Sequence, residues 1–216
     1  MVSDNYEQTT YDLFALSRIK GCALKNSKPQ LRIIGGQWRG RRLPIYDAPG
    51  LRPTPDRVRE TLFNWLAPNI TGARCLDAFA GTGALGIEAL SRGAAQVVFC
   101  ERDRQLANAI QTHLNTLGGN GEVVCAGFSQ TLLAGRNFDI VFLDAPFNAG
   151  LLNPAAMAIR NHLAPGHRVY FEYAKTDAPT LAPEWQILKS KQAGQVGFSL
   201  ARLATAAAEG KDKPDE

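Results

Sequence analysis

Residues 75–90 read CLDAFAGTGALGIEAL, and this stretch decides the fold of the chain. An apolar, strand-like run ends at Asp77, and Gly81, Gly83 and Gly86 follow in the next turn and helix start. Glycines adopt backbone angles that other residues resist, and the first turn of a helix offers unpaired N–H groups to a ligand. The G-x-G-x-x-G spacing is only weak support for a nucleotide site when it stands alone.

The acid before this loop separates it from most dinucleotide sites. Asp77 lies four residues before the first glycine, where a carboxylate repels a pyrophosphate and favours a cationic ligand. S-adenosylmethionine carries an ammonium and a sulfonium group, and Glu101, at the end of the next strand-like run, can accept from ribose hydroxyls. The pattern favours S-adenosylmethionine over a dinucleotide or a purely structural glycine turn. Phe128 follows the third run and either borders the adenine or packs in the core.

The rest of the chain alternates strand-like and helical segments, which predicts a parallel sheet flanked by helices. The strand-like runs are 74–77, 96–101, 122–126, 139–144, 168–173, 185–191 and 196–203. Helical stretches fall near 84–92, 103–117, 128–134 and 150–163. A short QAGQ link joins the last two runs and predicts an antiparallel hairpin at one edge of the sheet.

An arginine-rich segment precedes this alternation. Residues 31–45 have apolar ends around a glycine-rich middle, which predicts a β-hairpin. Seven arginines stand against three acids within residues 30–60, with Trp38 among them. This excess suits a polyanionic partner, although a solvated charged face is the alternative. A helix is predicted next, with Thr54 as its N-cap and Pro55 at its first position.

The tetrapeptide Asp144-Ala145-Pro146-Phe147 interrupts an apolar run at the end of the fourth strand. An exocyclic amine on a base is a poor nucleophile, and two acceptors can turn its lone pair toward a methyl donor. A carboxylate and a backbone carbonyl supply these acceptors, proline stiffens the turn, and an aromatic ring stacks on an unstacked base. A strand-end turn with a packed phenylalanine is the alternative.

Composition limits the classes of protein to which the chain can belong. The 216 residues are 45% hydrophobic and 20% charged, which suits one domain with its own core. No apolar run is long enough to span a membrane and no secretory signal is evident, so we expect a cytoplasmic protein. Four cysteines without CxxC spacing predict free thiols, three of them buried in strands, and no metal site. The three histidines are expected at the surface or in loops.

Four stretches together resemble the RsmD family of bacterial 16S rRNA guanine-N2 methyltransferases, which modify guanine 966 of the rRNA. They are RIIGGQWRGRRL (32–43), LRPTPDRVRETLFNWL (51–66), LDAFAGTGALGIEALSRGA (76–94) and VFLDAPF (141–147). The resemblance covers roughly residues 30–205. It implies an α/β fold: a Rossmann-like class I S-adenosylmethionine-dependent methyltransferase with a seven-stranded, mostly parallel sheet, a C-terminal antiparallel hairpin and a small N-terminal β-hairpin.

The residue pattern also predicts an organisation, and the resemblance implies a partner. We expect residues 1–29 to be disordered, 30–53 to form the arginine-rich hairpin, 54–205 to form the methyltransferase domain and 206–216 to be a disordered tail. The implied partner is 16S rRNA within the small ribosomal subunit or its precursor, bound by a monomer.

Individual residues receive roles from the same resemblance. The implied cofactor contacts are Asp77, Phe79, Ala80, Gly81, Thr82, Gly83, Glu101 and Phe128, with Thr54 and Arg57 closing the site. A cap and a surface charge are the alternative for that last pair. The implied catalytic residues are Asp144, Ala145, Pro146 and Phe147. The implied rRNA contacts are Arg32, Arg39, Arg41 and Arg42 around Trp38.

The chain departs from the family in two places. Ala145 stands where the family pattern has a first proline, which keeps the backbone carbonyl but removes rigidity. The N-terminal segment is also longer than the family's. Two other functions stay open: an amino-methyltransferase acting on DNA or another RNA (adenine-N6 or guanine-N2), and a non-catalytic RNA-binding assembly factor. Three intact acids, Asp77, Glu101 and Asp144, argue against the second.

Overall fold

The structure, a computed structural model, describes residues 29–46, 54–147 and 149–204. Almost all of the two segments predicted to be disordered, 1–29 and 206–216, lies outside the described residues. The boundary at residue 53, between the predicted hairpin and methyltransferase domains, also falls outside them. These assignments therefore stay predictions.

A small antiparallel hairpin begins the described chain, as its sequence predicts. It consists of β1 (Gln30–Arg32) and β2 (Arg42–Pro44), with Leu31 opposite Leu43. Both leucines are buried against the domain while the residues on either side of them are exposed. The period-2 alternation thus places one apolar face inward and one polar face outward.

Seven further strands form the main sheet. They are β3 (Arg74–Asp77), β4 (Gln96–Cys100), β5 (Gly121–Val124), β6 (Phe138–Leu143), β7 (Leu163–Ala174), β8 (Trp185–Ala193) and β9 (Val196–Leu203). Their order across the sheet is β5-β4-β3-β6-β7-β9-β8. The first five in this order are parallel, and β9 is antiparallel to both of its neighbours. This confirms the predicted mostly parallel sheet with an antiparallel hairpin at its edge.

The order of the strands determines where a ligand can bind. From β3 the chain continues outward through β4 and β5 and then returns to the other side of β3 with β6. Such a reversal opens a crevice at the carboxyl ends of the two central strands. Asp77, at the end of β3, lies opposite Phe142 on β6, so the glycine loop and the tetrapeptide leave the sheet side by side.

Within the described ranges, four α-helices and two 3₁₀ turns connect the strands. The helices are α1 (Asp56–Leu66), α2 (Ala84–Ser91), α3 (Arg104–Leu117) and α4 (Leu152–Ala158). Asp103 caps α3, because its carboxylate accepts from the N–H groups of Gln105 (2.8 Å) and Leu106 (3.1 Å). None of the helices in the described ranges is long and apolar enough to cross a membrane.

Two predicted helices are shorter in the structure. The helix expected at 128–134 is a 3₁₀ turn over Gln130–Leu133, followed closely by Gly135 with φ 71°. The stretch expected to be helical over 150–163 contains α4 and a second 3₁₀ turn, and β7 begins already at Leu163. The positive φ of Gly135 does not continue a right-handed helix, and residues 160–162 form a 3₁₀ turn rather than a further α-helical turn.

Buried side chains cover both faces of the sheet. Helices α1, α2 and α3 pack on one face through residues such as Phe63, Ile87 and Ile110. Helix α4 packs on the other face through Ala155, near Val141 of β6. Burial on both faces explains why the central strands are continuous apolar runs rather than alternating ones.

A buried carboxylate fastens the hairpin to this domain. Glu88 of α2 is 0% exposed, and its two oxygens accept from the N–H groups of Ile34 (2.9 Å) and Gly35 (2.8 Å). Arg92 donates to the same carboxylate at 2.7 Å, and the Arg59 guanidinium lies 3.5 Å from it. A buried acid needs such partners, because an unpaired buried charge is strongly destabilising.

Candidate active site

The loop between β3 and α2 has the backbone shape that its glycines predict. Gly81 and Gly83 have φ of 53° and 75°, in the left-handed region where an L side chain is strained. The Gly83 N–H donates to the Ala80 carbonyl at 2.7 Å, which closes the turn directly before α2. A Cβ on Gly86 would lie 2.2 Å from Cε1 of Phe99, so this glycine lets α2 lie directly against β4.

Asp77 lies beneath the loop. It is 1% exposed, and its Oδ2 accepts from the N–H of Gly86 at 3.0 Å. Burial raises the pKa of Asp77 to about 7; the Gly86 hydrogen bond opposes this, and the charges of Asp144 and Glu101 add to it. A cationic ligand would relieve this crowding of acids, whereas a pyrophosphate would increase it.

Glu101 lies beside the same loop, at the end of β4. Its Oε2 accepts from the Gly81 N–H at 2.7 Å and its Oε1 from the Asp103 N–H at 2.8 Å. The side chain is partly exposed, and each carboxylate oxygen keeps a further lone pair. Glu101 therefore lies where a ligand in the crevice can reach it, and it also holds the loop in place.

The remaining predicted cofactor residues surround these two acids. Ala80 and Thr82 are buried within the loop. The rings of Phe79 and Phe128 are partly exposed and lie 5.7 Å apart at an interplanar angle of 49°. The structure thus brings Phe128, from the segment after β5, to the loop after β3.

The tetrapeptide follows β6 and lies on the neighbouring strand end. Asp144 is partly exposed, and its Oδ2 accepts from the Thr54 hydroxyl at 3.0 Å. Burial raises the pKa of Asp144 to about 6, and the Thr54 hydrogen bond acts in the opposite direction. Ala145 is buried, whereas Pro146 is exposed and Phe147 is 42% exposed. The Phe147 ring is therefore accessible to a stacking partner.

Thr54 and Arg57, at the start of α1, do not have the arrangement that the sequence predicts. Pro55, not Thr54, is the N-cap, and no side chain caps this helix. The Thr54 hydroxyl contacts Asp144 instead, because the chain folds back so that residues 90 positions apart meet. Arg57 is exposed. Thr54 thus belongs to the tetrapeptide side of the crevice, and Arg57 retains the surface position of the alternative interpretation.

Arg59 is a site residue that the sequence analysis missed. It is 1% exposed and donates to the carbonyls of Thr54 (3.2 Å) and Arg32 (2.8 Å) and to Asp56 (2.6 Å). The buried Arg59 guanidinium therefore joins the hairpin to the backbone of Thr54, whose hydroxyl donates to Asp144. In the sequence, Arg59 is only a charged residue close to the apolar stripe of α1. A surface arginine has the same pattern, so the sequence did not predict its burial.

A second missed residue is Glu172 on β7. It is 5% exposed, and its Oε2 accepts from the Tyr170 hydroxyl at 2.6 Å. Burial raises the pKa of Glu172 to about 8, and the charge of Asp144 adds to this rise. An acid inside the apolar run YFEY was the signal in the sequence.

Known proteins resemble this chain over most of its length. A family model described as Conserved hypothetical protein 95 matches residues 31–202. The ribosomal RNA small subunit methyltransferase D of Escherichia coli is 49% identical over 176 residues, which are 79% of this chain and 89% of that protein. The chain belongs to the RsmD family of rRNA methyltransferases.

Two further comparisons support membership of the RsmD family. The ribosomal RNA small subunit methyltransferase D of Haemophilus influenzae is 46% identical over 184 residues, 81% of this chain and 95% of that protein. The solved structure of the methyltransferase yhhF from Escherichia coli matches with a TM-score of 0.74 at 44% identity and covers 82% of this chain and 99% of that one.

The hairpin of this RsmD family member presents its arginines to solvent. Arg32, Arg39, Arg41 and Arg42 are all exposed. Trp38 is only 8% exposed and packs in the core, with its backbone N–H donating to the Ser91 hydroxyl at 3.0 Å. The Trp38 ring therefore anchors the arginine-bearing turn from inside, and its contact with rRNA stays a prediction.

Some of the histidine and cysteine predictions are also wrong for this RsmD protein. His113 and His167 are buried; His167 bonds the Ala164 carbonyl through Nδ1 and accepts from the Leu203 N–H through Nε2, each at 2.8 Å. Cys125 is exposed because β5 ends one residue before it. No group of three or more His, Cys, Asp or Glu side chains within the described residues is arranged to hold a metal ion.

Proposed function

We propose that the protein transfers a methyl group from S-adenosylmethionine to the exocyclic N2 amine of a guanine, guanine 966 by likeness to its family, in 16S rRNA. The substrate is the small ribosomal subunit or its precursor, in the cytoplasm. The observation that carries the proposal is the position of Asp144, with its partner Thr54, on the strand end next to the glycine loop. An acid there lies within reach of both a ligand of the loop and a base in the crevice.

The residues around the loop fit S-adenosylmethionine. Asp77 would meet its ammonium group and Glu101 its ribose hydroxyls, while Gly81 and Gly83 leave room for a close approach. The crowding of Asp77 with Asp144 and Glu101 supports a cationic ligand rather than a dinucleotide. When bound, S-adenosylmethionine supplies an electrophilic methyl group on its sulfonium centre.

Asp144 would hold the guanine amine. Its ionised carboxylate accepts one amine N–H, and the backbone carbonyl of Ala145 accepts the other, which turns the nitrogen lone pair toward the methyl donor. Thr54 keeps the carboxylate in its ionised form by donating to Oδ2. The contribution of these residues is orientation, which can supply a large part of a rate enhancement.

The other two residues of the tetrapeptide would hold the base. Phe147 is exposed at 42% and is free to stack on a guanine that has left its helix. Pro146 restricts the backbone between the two acceptors and the stacking ring. The acid, carbonyl, proline and aromatic residues thus act on successive parts of one flipped base.

The exposed hairpin arginines would bind rRNA phosphates. They lie on the hairpin strands and on the turn between them, whose backbone Trp38 and Glu88 fasten to the domain. Phosphate contacts position a nucleic acid without reading its sequence. The hairpin would therefore supply affinity and register, and the crevice would supply the choice of base.

Transfer of labelled methyl groups tests this function. The protein is incubated with labelled S-adenosylmethionine and either small subunits from cells lacking the modification, free 16S rRNA or duplex DNA. We expect label on N2 of one guanine in the subunits. Label on DNA but not on subunits would contradict the proposal, and cofactor binding without any transfer would favour a non-catalytic assembly factor.

Two matched variants test the role of Asp144. Asp144→Ala should abolish transfer while S-adenosylmethionine binding stays nearly unchanged. Asp139→Ala removes a carboxylate from the other end of the same strand, where it accepts from the Arg74 N–H, and should keep its activity. Equal losses of transfer and of cofactor binding in Asp144→Ala would assign this acid to the cofactor instead.

A further inference from the structure

A cavity lies on the β7 side of the tetrapeptide, opposite the glycine loop. Its volume is about 160 Å³, and its walls are residues 145–147, 150–153, 172–174 and 177–180. A cavity of about 150 Å³ holds a benzene ring in another protein, so this space suits the edge of one base. The described residues of its wall include no Lys, Arg or His; its charged members are Glu172 and Asp177.

The absence of positive side chains from this wall is informative in an rRNA methyltransferase. Phosphates and other anions find no cation in this wall and are repelled by Asp177, whereas a group rich in N–H donors is favoured. The Watson–Crick edge of guanine carries such donors at N1 and N2, beside an acceptor at O6. A base rather than the rRNA backbone is therefore the part of the substrate that fits here.

Glu172 is placed to meet this edge together with Asp144. Phe142 and Leu143 pair with Tyr170 and Phe171, so Asp144 and Glu172 follow on adjacent parallel strands, about 4.8 Å apart by strand spacing. The Tyr170 hydroxyl donates to Glu172 Oε2 at 2.6 Å. Oε1 has no hydrogen-bond partner among the residues that the structure describes.

The surroundings of Glu172 favour its neutral form. The titratable groups that act on it are Asp144 on β6 and Tyr170 on its own strand, and Asp177 is the other acid of the cavity wall. None of them is a cation, and burial together with the charge of Asp144 raises the pKa of Glu172 to about 8. Since Tyr170 donates to Oε2, the proton of the neutral acid belongs on Oε1.

We propose that Glu172, as a neutral carboxylic acid, determines the specificity for guanine: Oε1–H donates to O6 and Oε2 accepts from N1–H, while Asp144 holds the N2 amine. This rests on the proposed function. A carboxylic acid presents one donor beside one acceptor, which matches the N1–H and O6 pair of guanine. Adenine presents the opposite order, an acceptor at N1 and an amine at C6, and it is rejected.

The test compares two bases at one position. Small subunits are reconstituted with 16S rRNA carrying guanosine or 2,6-diaminopurine riboside at the nucleotide that the wild type labels. Both bases have the 2-amino group, but diaminopurine has an amine in place of O6 and a bare N1. The kcat/KM for methyl transfer is measured for the wild type, Glu172→Ala and Glu172→Gln, with Glu184→Gln as a matched substitution at an acid paired with Arg160 outside the cavity.

We expect the wild type and Glu184→Gln to prefer guanosine by about 5- to 150-fold, the range of one bidentate contact. Glu172→Ala should lose most of this preference through a lower rate on guanosine, with S-adenosylmethionine binding intact as a check of folding. Glu172→Gln should restore most of the lost rate, because a carboxamide presents the same donor and acceptor. In the wild type, the rate should also fall as the pH rises through about 8, and Glu172→Gln should lack this fall.

Two results would overturn the assignment. One is an unchanged preference for guanosine in Glu172→Ala; the other is a Glu172→Gln protein as defective as Glu172→Ala. Both leave methylation by the wild type intact, so they are distinguishable from failure of the proposed function, in which the wild type itself does not methylate guanosine in subunits.

Discussion

The hydrogen bond from Thr54 to Asp144 predicts a shift in the pH dependence of methyl transfer. Only the ionised Asp144 can accept from the guanine amine, so the rate should fall as the pH drops through the pKa of this group, which is raised to about 6. The Thr54 hydroxyl lies 3.0 Å from Oδ2 and lowers that pKa. Thr54→Val keeps the shape of the side chain and removes the donor.

The size of the shift follows from the strength of the bond. A hydrogen bond to a charged group contributes about 1.5–3 kcal/mol, and one pKa unit corresponds to about 1.4 kcal/mol. Because Asp144 is partly exposed, solvent screening favours the lower end, or about one unit. The ionised fraction at pH 6 then falls from about one half to about one tenth, a roughly fivefold loss of rate that nearly disappears at pH 8.

Initial rates of labelled methyl transfer to small subunits, measured from pH 5.5 to 8.5 at constant ionic strength, give the profile. Thr61→Val is the control: it is the same substitution on α1, at a hydroxyl that donates to the Arg57 carbonyl and does not face the crevice. Its profile should match that of the wild type. If Thr54→Val lowers the rate by one factor at every pH, or leaves the profile in place, the hydrogen bond does not govern the ionisation of Asp144.

Three further predictions concern packing, the cofactor and rRNA. Gly86→Ala should destabilise the fold by about 1–3 kcal/mol in denaturant unfolding, because its Cβ would lie 2.2 Å from a ring carbon of β4, whereas Gly127→Ala has open space and should be nearly neutral. Binding of S-adenosylmethionine should release protons from Asp77 near pH 7, where this acid is half protonated. Calorimetry in buffers of different ionisation enthalpy should show that Asp77→Asn releases fewer protons. Equal proton release would show that Asp77 does not meet the ammonium group of the cofactor. Replacing Arg41 and Arg42 by Ala should reduce the slope of log affinity for subunits against log salt by about 1.4–1.8, and an unchanged slope would exclude them as phosphate contacts.

Much of the crevice could be predicted because its signals are local. The alternation of strands and helices predicts a parallel sheet, and the carboxyl ends of parallel strands meet at one edge. Asp77, Glu101 and Asp144 each end a strand-like run, so their convergence followed from the pattern alone. The structure places all three at adjacent strand ends.

Contacts between distant segments could not be predicted in this way. Trp38 has an arginine on its C-terminal side, yet its ring is buried, because the turn that carries it packs against α2 and α3. Thr54 has the sequence features of a helix cap, yet its hydroxyl donates to a carboxylate 90 residues away. In both cases the residue type is compatible with several environments, and the packing of segments decides among them.

The sequence by itself determined the α/β class, the glycine loop with its acid, and the order acid, carbonyl, proline, aromatic after β6. The spacing of apolar residues and the residue types at strand ends depend only on neighbours along the chain, so the sequence alone predicts them. Only the tertiary structure decided that Arg59 joins the hairpin to the backbone of Thr54 and that Glu88 holds the hairpin on α2. It also decided that Glu172 lies on the strand next to that of Asp144. Arg59 and Glu88 are buried and contact residues of other elements, and the burial of a charged residue cannot be inferred from its neighbours along the chain.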